Sequence, residues 1–598
     1  MIERYRLDPG QGTWSRQVSD AIPYSDGDEI EDYLYAALRS ASDVGTSSPE
    51  MLAAIKDWPS EYHLSSARHN LLRHVAFKST DRVLELGCGC GAITRYLGET
   101  GATIIAVEGS QRRAKIAAER CRDLPNVTVY CDNIVDFIAG HKFDYVTLIG
   151  VLEYAPKFIG SDDPVGTCLK QANTFLKDDG VLVLAIENQL GLKYLNGCSE
   201  DHTGVPYFGI NDLYGVGTPV TFGRRELESR LRAAGFADVT FLYPFPDYKL
   251  PTVLLAEGAF NHPEFVPADL LFRDFSRDYC GGSCRAFHEN LAWQPLARNG
   301  LIPDLANSFL AMVRKSRPES RPQAEWLARI YSTGRLPAFE TETVFLPGDK
   351  GIAVAKRLLF PDTAPPNRID GPRFRHQPPL HAMYVSGRLY ATELQPIMAR
   401  GEGPAAVARW AAPWVAGLVA EALPSPDNVL VLPGSRLDAV PANLVRDRSG
   451  ALVDIDIEWE SDTPVPLAWV LIRGLVNTMA ACPVSSAFAG LTFRDGVSSV
   501  LEQLGHAVSD EDFRTAAAFE DALKNTVYSP HRPGRAFSEV LAGPIYSFTS
   551  PPTFHDEIAG LRKEIARVKG TVSWRITKPL RAFWNGFRSL LPSNSAKS

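Results

Sequence analysis

The sequence predicts an α/β fold for the first half of the chain, built on a mostly parallel sheet. An apolar strand, Val83 to Leu86, breaks into a glycine-rich loop and then enters a helical pattern near Ala92. Three more apolar strands follow at 103–107, 127–130 and 143–149, with room for helices between them. This alternation is typical of a doubly wound sheet, whose ligands bind at the carboxyl ends of its strands.

The glycine-rich loop has the residue types that a nucleotide-like ligand requires. Gly87, Gly89 and Gly91 lack the Cβ atoms that would keep a ligand off the backbone, and the helix after them presents free N–H groups. Cys88 lies inside the same loop. The spacing also fits a loose dinucleotide fingerprint, so the loop alone leaves two classes of cofactor open.

Polar residues follow the next strands where each one ends. Glu108 ends the second strand, 23 residues after Glu85, and is placed to accept bonds from ribose hydroxyls. Asp132 and Asn133 follow the third strand, where their side chains can bind an adenine amino group. Gly150 follows the fourth strand.

These strand ends, in this order, resemble the class I S-adenosylmethionine-dependent methyltransferases over roughly residues 60 to 255. The resemblance implies a Rossmann-like sheet and S-adenosylmethionine as cofactor. It also implies that Glu85 and the glycine loop hold the methionine part of the cofactor, that Glu108 holds the ribose, and that Asp132 with its neighbours holds the adenine.

The acceptor site is expected under an insertion, residues 187–222, that leaves the carboxyl end of the fifth predicted strand. Methyl transfer to a neutral hydroxyl needs a general base, whereas transfer to a phosphate needs none. The candidate bases are Glu153, Glu187 and His202, which lie on the right loops. A purely structural role stays open for each of them.

Other elements of the first half follow from periodicity and turn residues. The sequence predicts helices over 29–40, 70–77 and 224–234, a turn at 177–180, and strands over 239–243 and 307–313, the last closing the sheet.

A second, α+β module is predicted after residue 324, with strands over 339–346, 351–360 and 389–394 and a helix over 404–423. Asp438 and Asn443 have the D-x4-N spacing of a protein-kinase catalytic loop, which this part resembles, and Asp456 follows on the next hairpin. The resemblance implies that Asp438 accepts a hydroxyl proton and that Asn443 and Asp456 hold Mg²⁺ on ATP phosphates, with Lys356 as the nucleotide-binding lysine.

The kinase resemblance has clear departures. No His-Arg pair precedes Asp438, no glycine follows Asp456, and Lys356 has no clear acidic partner in the sequence. Three interpretations stay open: an active kinase, a kinase-like fold that binds without catalysis, and chance spacing.

Charge is distributed unevenly along the 598 residues, whose formal net charge is −8. Residues 561–598 carry nine Lys or Arg and one Glu, so the rest of the chain holds about −16. An acidic body argues against nucleic acid as a partner. The sequence has no long uninterrupted apolar stretch and no signal-peptide pattern, which predicts a cytoplasmic protein.

The tail combines two patterns. Ile558, Leu561, Ile565 and Val568 have the spacing of a short coiled-coil seam. Residues 580–591 then place aromatic and leucine side chains on one face of a helix among basic residues. This pattern is typical of a helix on the inner face of an anionic membrane, and docking on a protein is the alternative.

The predicted organisation is an extension (1–60), a methyltransferase domain (61–318), a kinase-like domain (324–545) and a short coiled coil with a basic amphipathic helix (553–598). This order resembles the O-antigen chain-terminating methyltransferase/kinases of bacterial surface-polysaccharide synthesis, although the seam is much shorter than the spacer of that family. The resemblance implies methylation of a sugar hydroxyl or sugar phosphate on a lipid-linked glycan, with a fused kinase. The alternative is a methyltransferase whose C-terminal half is a non-catalytic scaffold that binds a glycosyltransferase or the membrane.

Overall fold

A computed structural model describes residues 4–16, 27–281, 285–317, 326–365, 373–528 and 534–547, together with 561, 565, 567 and 568. The first half contains the strands β1 (Tyr5–Asp8), β2 (Thr13–Arg16), β3 (Arg82–Leu86), β4 (Thr103–Glu108), β5 (Val127–Cys131), β6 (Phe143–Ile149), β7 (Leu176–Glu187), β8 (Asp238–Phe245), β9 (Val253–Ala256) and β10 (Ser308–Arg314). Its helices are α1 (Asp28–Ser40), α2 (Pro49–Ala53), α3 (Trp58–Leu64), α4 (Ala92–Glu99), α5 (Gln111–Arg120), α6 (Ala155–Phe158), α7 (Pro164–Phe175), α8 (Leu192–Leu195), α9 (Arg224–Ala233), α10 (Gly258–Asn261), α11 (Pro267–Leu270), α12 (Glu289–Arg298) and α13 (Ile302–Leu305).

The second half is richer in helix and has shorter strands. Its strands are β11 (Ala328–Ser332), β12 (Thr341–Gly348), β13 (Gly351–Leu358), β14 (Phe374–His376), β15 (His381–Met383), β16 (Gly387–Leu389), β17 (Leu423–Pro424), β18 (Leu430–Leu432), β19 (Leu444–Asp447), β20 (Leu452–Asp454), β21 (Trp459–Ser461) and β22 (Val465–Pro466). Its helices are α14 (Leu394–Ala399), α15 (Pro404–Glu421), α16 (Leu467–Ala480), α17 (Phe493–Gln503), α18 (Asp510–Val527) and α19 (Phe537–Ala542).

One large sheet dominates the molecule, in the order β1-β2-β5-β4-β3-β6-β7-β10-β8-β9-β11-β12-β13-β15. The strands from β2 to β7 in this order pair in parallel, and β10 lies antiparallel between β7 and β8. Alternate residues of β7 pack on opposite sides, Leu182 against one apolar cluster and Val183 against another. Both faces of β7 are therefore covered, which explains the unbroken apolar run from Val181 to Ile186.

The structure confirms the Rossmann-like sheet of the first half but corrects two local predictions. The helix predicted over 70–77 is wrong: a helix, α3, precedes it, and a 3-10 segment covers Ser66–Leu71. Asn70, Leu71 and Leu72 are fully buried, and Asn70 donates to the carbonyl of Pro251, so tertiary contacts fix the start of this stretch. The turn predicted at 177–180 is a bulge inside β7, because Phe143 pairs with Leu176 while Tyr145 pairs with Val181.

The N-terminal hairpin is part of the same sheet. Strands β1 and β2 pair with each other, and β2 adds to β5 in parallel. The Tyr5 hydroxyl and the Arg16 guanidinium both bond the Asp132 carboxylate at the end of β5. Residues that precede the methyltransferase pattern thus hold one of its predicted cofactor residues.

The second half begins as a continuation of that sheet, since β11 pairs antiparallel with β9 and is followed by β12, β13 and β15. The helices α15 to α18 enclose a separate apolar core around Trp410, Trp414 and Trp469. The strand predicted over 389–394 is wrong, because β16 ends at Leu389 and a 3-10 turn leads into α14. Tyr390, Ala391 and Thr392 are all buried, which does not fit the alternation of a half-buried strand.

The predicted tail falls mostly outside the described residues. Leu561, Ile565 and Val568 of the predicted seam are described and are exposed, whereas Ile558 and the helix predicted over 580–591 lie outside the described part. Across the ranges that the structure describes, no helix is both long enough and apolar enough to cross a membrane.

Candidate active site

A cavity of about 390 Å³ opens at the carboxyl ends of β3, β4, β6 and β7. It is lined by nearly all of the residues predicted for the cofactor and for catalysis in the first half: Glu85, Gly87, Cys88, Gly89, Glu108, Asp132, Asn133, Gly150, Glu153, Glu187 and His202. The structure therefore gathers into one cavity residues that are more than 100 positions apart in the sequence.

The glycine loop adopts a backbone that only glycine tolerates well. Gly87, Gly89 and Gly91 all have positive φ, at 74°, 56° and 81°. A Cβ on Gly91 would lie 2.8 Å from the Cα of Ala117, so this glycine permits close packing of the loop against α5. Gly89 faces the cavity, where a Cβ would lie 2.8 Å from an Nη atom of Arg113.

Two buried carboxylates flank the loop with different roles. Glu108 accepts hydrogen bonds from the backbone N–H of Gly89, at 2.8 Å, and of Ser110, at 2.9 Å, and so fixes the loop. Burial raises the pKa of Glu85 to about 8. Within the described residues, its Oε2 accepts no hydrogen bond. A cationic ligand group beside Glu85 would satisfy this carboxylate.

Asp132 is less available to a ligand than the sequence suggested. Its carboxylate lies at the end of β5 and accepts bonds from Tyr5, from Arg16 and from the backbone N–H of Asn133. The side chain is thus already engaged by the N-terminal hairpin, and it positions the β5 loop. The adenine-binding role predicted for Asp132 and Asn133 stays a prediction.

The three predicted bases meet at the other end of the cavity. His202 Nε2 lies 3.7 Å from Glu153 Oε1 and 3.9 Å from Glu187 Oε2. Glu153 follows β6, Glu187 ends β7, and His202 belongs to the insertion. We call these three residues the acceptor cluster. Their convergence was not readable from the sequence, which named them only as separate candidates.

Charge in the acceptor cluster is set by burial and by mutual contact. Burial raises the pKa of Glu153, and neither of its carboxylate oxygens accepts a hydrogen bond from a residue that the structure describes. Burial opposes ionisation of His202, but Glu187, Glu153 and Glu200 outweigh it and hold the pKa of the imidazole well above its ordinary value. The cluster can therefore bind and move a proton, or hold a cation.

Sequence reasoning missed the charges that support this cluster. Lys249 bonds Glu187 and Asp201, and Lys193, fully buried, contacts Asp201 at 2.9 Å and Asp247 at 3.8 Å. These contacts fasten the insertion to the ends of β7 and β8. The run Glu200-Asp201-His202 inside a Gly-rich segment was the available signal.

The residues predicted for the kinase-like site also come together. Lys356 on β13 forms an ion pair with Asp456 and another, at 2.9 Å, with Glu458. Asn443 donates from Nδ2 to the backbone carbonyl of Asp438 at 2.9 Å. Lys356 therefore has acidic partners after all, which sequence spacing did not reveal.

Asp438 itself points into the protein. It is 5% exposed, and its Oδ1 lies 3.2 Å from Arg473. Burial raises the pKa of this carboxyl. A role for Asp438 in accepting a substrate proton stays a prediction.

The glycine loop generates a direct test of cofactor binding. Gly89→Val should abolish S-adenosylmethionine binding in calorimetry, because a branched side chain is strained at φ 56° and enters the cavity beside Arg113. Gly300→Val is the matched control, since Gly300 also has positive φ but faces open space. Unchanged affinity in Gly89→Val would contradict this assignment of the loop.

Comparison with known proteins supports the cofactor side of the site. Residues 60–240 match the family model described as "Methyltransferase domain". The ubiquinone biosynthesis O-methyltransferase of Bradyrhizobium diazoefficiens is 29% identical over 111 residues, covering 18% of this chain and 40% of the relative. The mitochondrial enzyme of that name from Bos taurus is 27% identical over 266 residues, covering 41% and 65%. The chain thus spans between two fifths and two thirds of the length of these relatives.

Among solved structures, the CcbJ methyltransferase of Streptomyces caelestis shares 16% identity and a TM-score of 0.28, over 46% of this chain and all of the other. Phosphoethanolamine N-methyltransferase 2 of Haemonchus contortus, solved with S-adenosyl-L-methionine, shares 17% identity and a TM-score of 0.26, over 48% and 56%. The family match coincides with the glycine loop and the strand ends described above. The first half of the chain therefore contains a class I S-adenosylmethionine-dependent methyltransferase domain.

Proposed function

We propose that this protein transfers a methyl group from S-adenosylmethionine to a hydroxyl group of a glycan in bacterial surface-polysaccharide synthesis. The observation that carries the proposal is the acceptor cluster, Glu153, Glu187 and His202, at the end of the cofactor cavity. A hydroxyl must lose its proton as the methyl group is transferred, and this cluster offers buried groups that can activate it.

A hydroxyl acceptor fits the charge of the cavity better than a phosphate. Glu153, Glu187 and Asp201 all line the acceptor end together with Lys249, whereas Lys193, which contacts Asp201, is fully buried. Carboxylates would repel a phosphate at this position. The two relatives compared above are named O-methyltransferases, which agrees with an oxygen acceptor.

The cavity wall suits a ring-shaped acceptor. Trp58, Tyr62, Tyr154 and Tyr279 line it together with polar groups. Flat aromatic faces with a few polar contacts are typical of sites that bind small ring compounds, including sugars.

Mass spectrometry of cell-surface glycans tests the proposal. Cells that lack the protein should lose a methyl group from one sugar, and the wild-type gene should restore it. His202→Ala and Glu187→Gln should fail to restore it, because loss of acceptor activation lowers turnover by about 10²–10⁴-fold.

Binding of S-adenosylmethionine by the two variants is the control that separates activation from folding. Glu226→Gln, on the exposed face of α9, removes a comparable carboxylate outside the cavity and should restore methylation fully. An unchanged glycan in cells without the protein would contradict the glycan acceptor. Full restoration by both cluster variants would contradict activation by these residues.

A nucleotide site in the second half is a second candidate function. It is supported by the contacts of Lys356 with Asp456 and Glu458 and by the bond from Asn443 to Asp438. The departures from the kinase pattern support the alternative, a scaffold that binds a glycosyltransferase or, through the basic tail, the inner face of the cytoplasmic membrane.

Thermal unfolding separates these two functions. ATP with Mg²⁺ should raise the melting temperature of the full chain if Asp456 helps to hold Mg²⁺, and Asp456→Ala should remove the shift. Asp349→Ala, in the exposed turn between β12 and β13, should keep it. No shift of the wild type at millimolar ATP would favour the scaffold.

A further inference from the structure

The acceptor cluster has the geometry of a set of metal ligands. One Glu153 oxygen, one Glu187 oxygen and one His202 ring nitrogen lie within 4.8 Å of one another. The three side chains come from separate elements and point into the cavity that the methyl group must enter. They are almost fully buried, with 1% exposure for each glutamate and 5% for the histidine side chain.

The network around the acceptor cluster holds more carboxylates than cationic groups. Five buried carboxylates, two lysines and one histidine form this network: Glu153, Glu187, Glu200, Asp201, Asp247, Lys193, Lys249 and His202. Lys249 reaches Oε1 of Glu187. Among described residues, Oε2 of Glu187 and both oxygens of Glu153 accept no hydrogen bond. Buried carboxylates in this state call for a cation.

His202 is oriented as a metal-binding histidine would be. Its Nδ1 lies 2.9 Å from Glu200 Oε1, while the other oxygen of Glu200 accepts the backbone N–H groups of His202 and Thr203 at 3.0 and 2.8 Å. A carboxylate on Nδ1 keeps a proton there, so Nε2, which faces Glu153 and Glu187, is the ring nitrogen that gives up its proton when a metal ion binds. Metal-bound histidines are commonly fixed by such a carboxylate.

We propose that Glu153, Glu187 and His202 bind one divalent cation. Two carboxylates and one imidazole suit an ion that accepts both oxygen and nitrogen ligands, which favours Mn²⁺ or Zn²⁺ over Ca²⁺. Three protein ligands leave coordination positions open on the cavity side. If the acceptor is a hydroxyl, as proposed above, its oxygen would bind at one of these positions, and the cation would lower its pKa. The oxygen of Glu153 that does not hold the cation would take the proton as the methyl group leaves S-adenosylmethionine, with S-adenosylhomocysteine as the other product.

Metal titration of the full chain tests this site without reference to turnover. Calorimetry with Zn²⁺ and the electron paramagnetic resonance of Mn²⁺ should show one site per chain. Glu153→Gln, Glu187→Gln and His202→Gln should each lose it while still binding S-adenosylmethionine, which shows that they fold. Glu200→Gln should weaken binding by about 10–100-fold, since it supports a ligand rather than being one. Glu226→Gln should bind as the wild type does.

The outcomes distinguish this inference from the proposed function. Absence of Zn²⁺ and Mn²⁺ binding at millimolar metal, or unchanged binding in all three ligand variants, would overturn the metal site. Full methylation by the chelator-treated enzyme would overturn its role in activation and leave glycan methylation standing. If the protein binds the metal but cells that lack the protein have unchanged glycans, the metal site is supported. That result would contradict only the glycan as acceptor.

Discussion

Parallel pairing of β3, β4, β6 and β7 is the constraint on which the site depends. Because these strands run in one direction, their carboxyl ends lie at one edge of the sheet, and every loop that leaves them faces the same cavity. The antiparallel strand β10 then lies between β7 and β8, so β8 can bring Lys249 back to the end of β7. The cofactor loop and the acceptor cluster therefore lie at opposite ends of the same sheet edge.

The insertion after β7 is held by charge rather than by secondary structure. Lys193 and Lys249 both contact Asp201, and the carboxylate of Glu200 fixes its neighbour His202. Bringing these groups out of water is costly unless each finds a partner, so the insertion has few alternative positions. The same network that orders the loop concentrates negative charge at the acceptor end of the cavity.

The cofactor side could be predicted because its signals are local. Buried strands are continuous apolar runs, and the glycines after Leu86 mark positive φ directly in the sequence. Contacts between distant segments could not be predicted. The bonds from Tyr5 and Arg16 to Asp132 span more than 100 residues, and no periodicity reports them. The same holds for the acidic partners of Lys356, which lie about 100 residues further on.

Local predictions failed where burial overrode pattern. Residues 70–77 and 389–394 have the composition of a helix and a strand, but each begins or continues in buried residues that contact both halves of the chain. Asn70, for example, donates to Pro251 and to Thr333. In such segments, tertiary contacts determine the backbone conformation. These contacts cannot be predicted from the local pattern of a single sequence.

The pairing of β9 with β11 makes the two halves share one sheet rather than meet as separate bodies. Leu254 and Leu255 on β9 are fully buried, and their strand would become a free edge if the chain were cut between the halves. Exposed apolar edges recruit strands from other molecules. If the methyltransferase half were excised, β9 would become an exposed edge strand that can pair with strands of other molecules. The solubility of this half therefore depends on β11, which the second half provides.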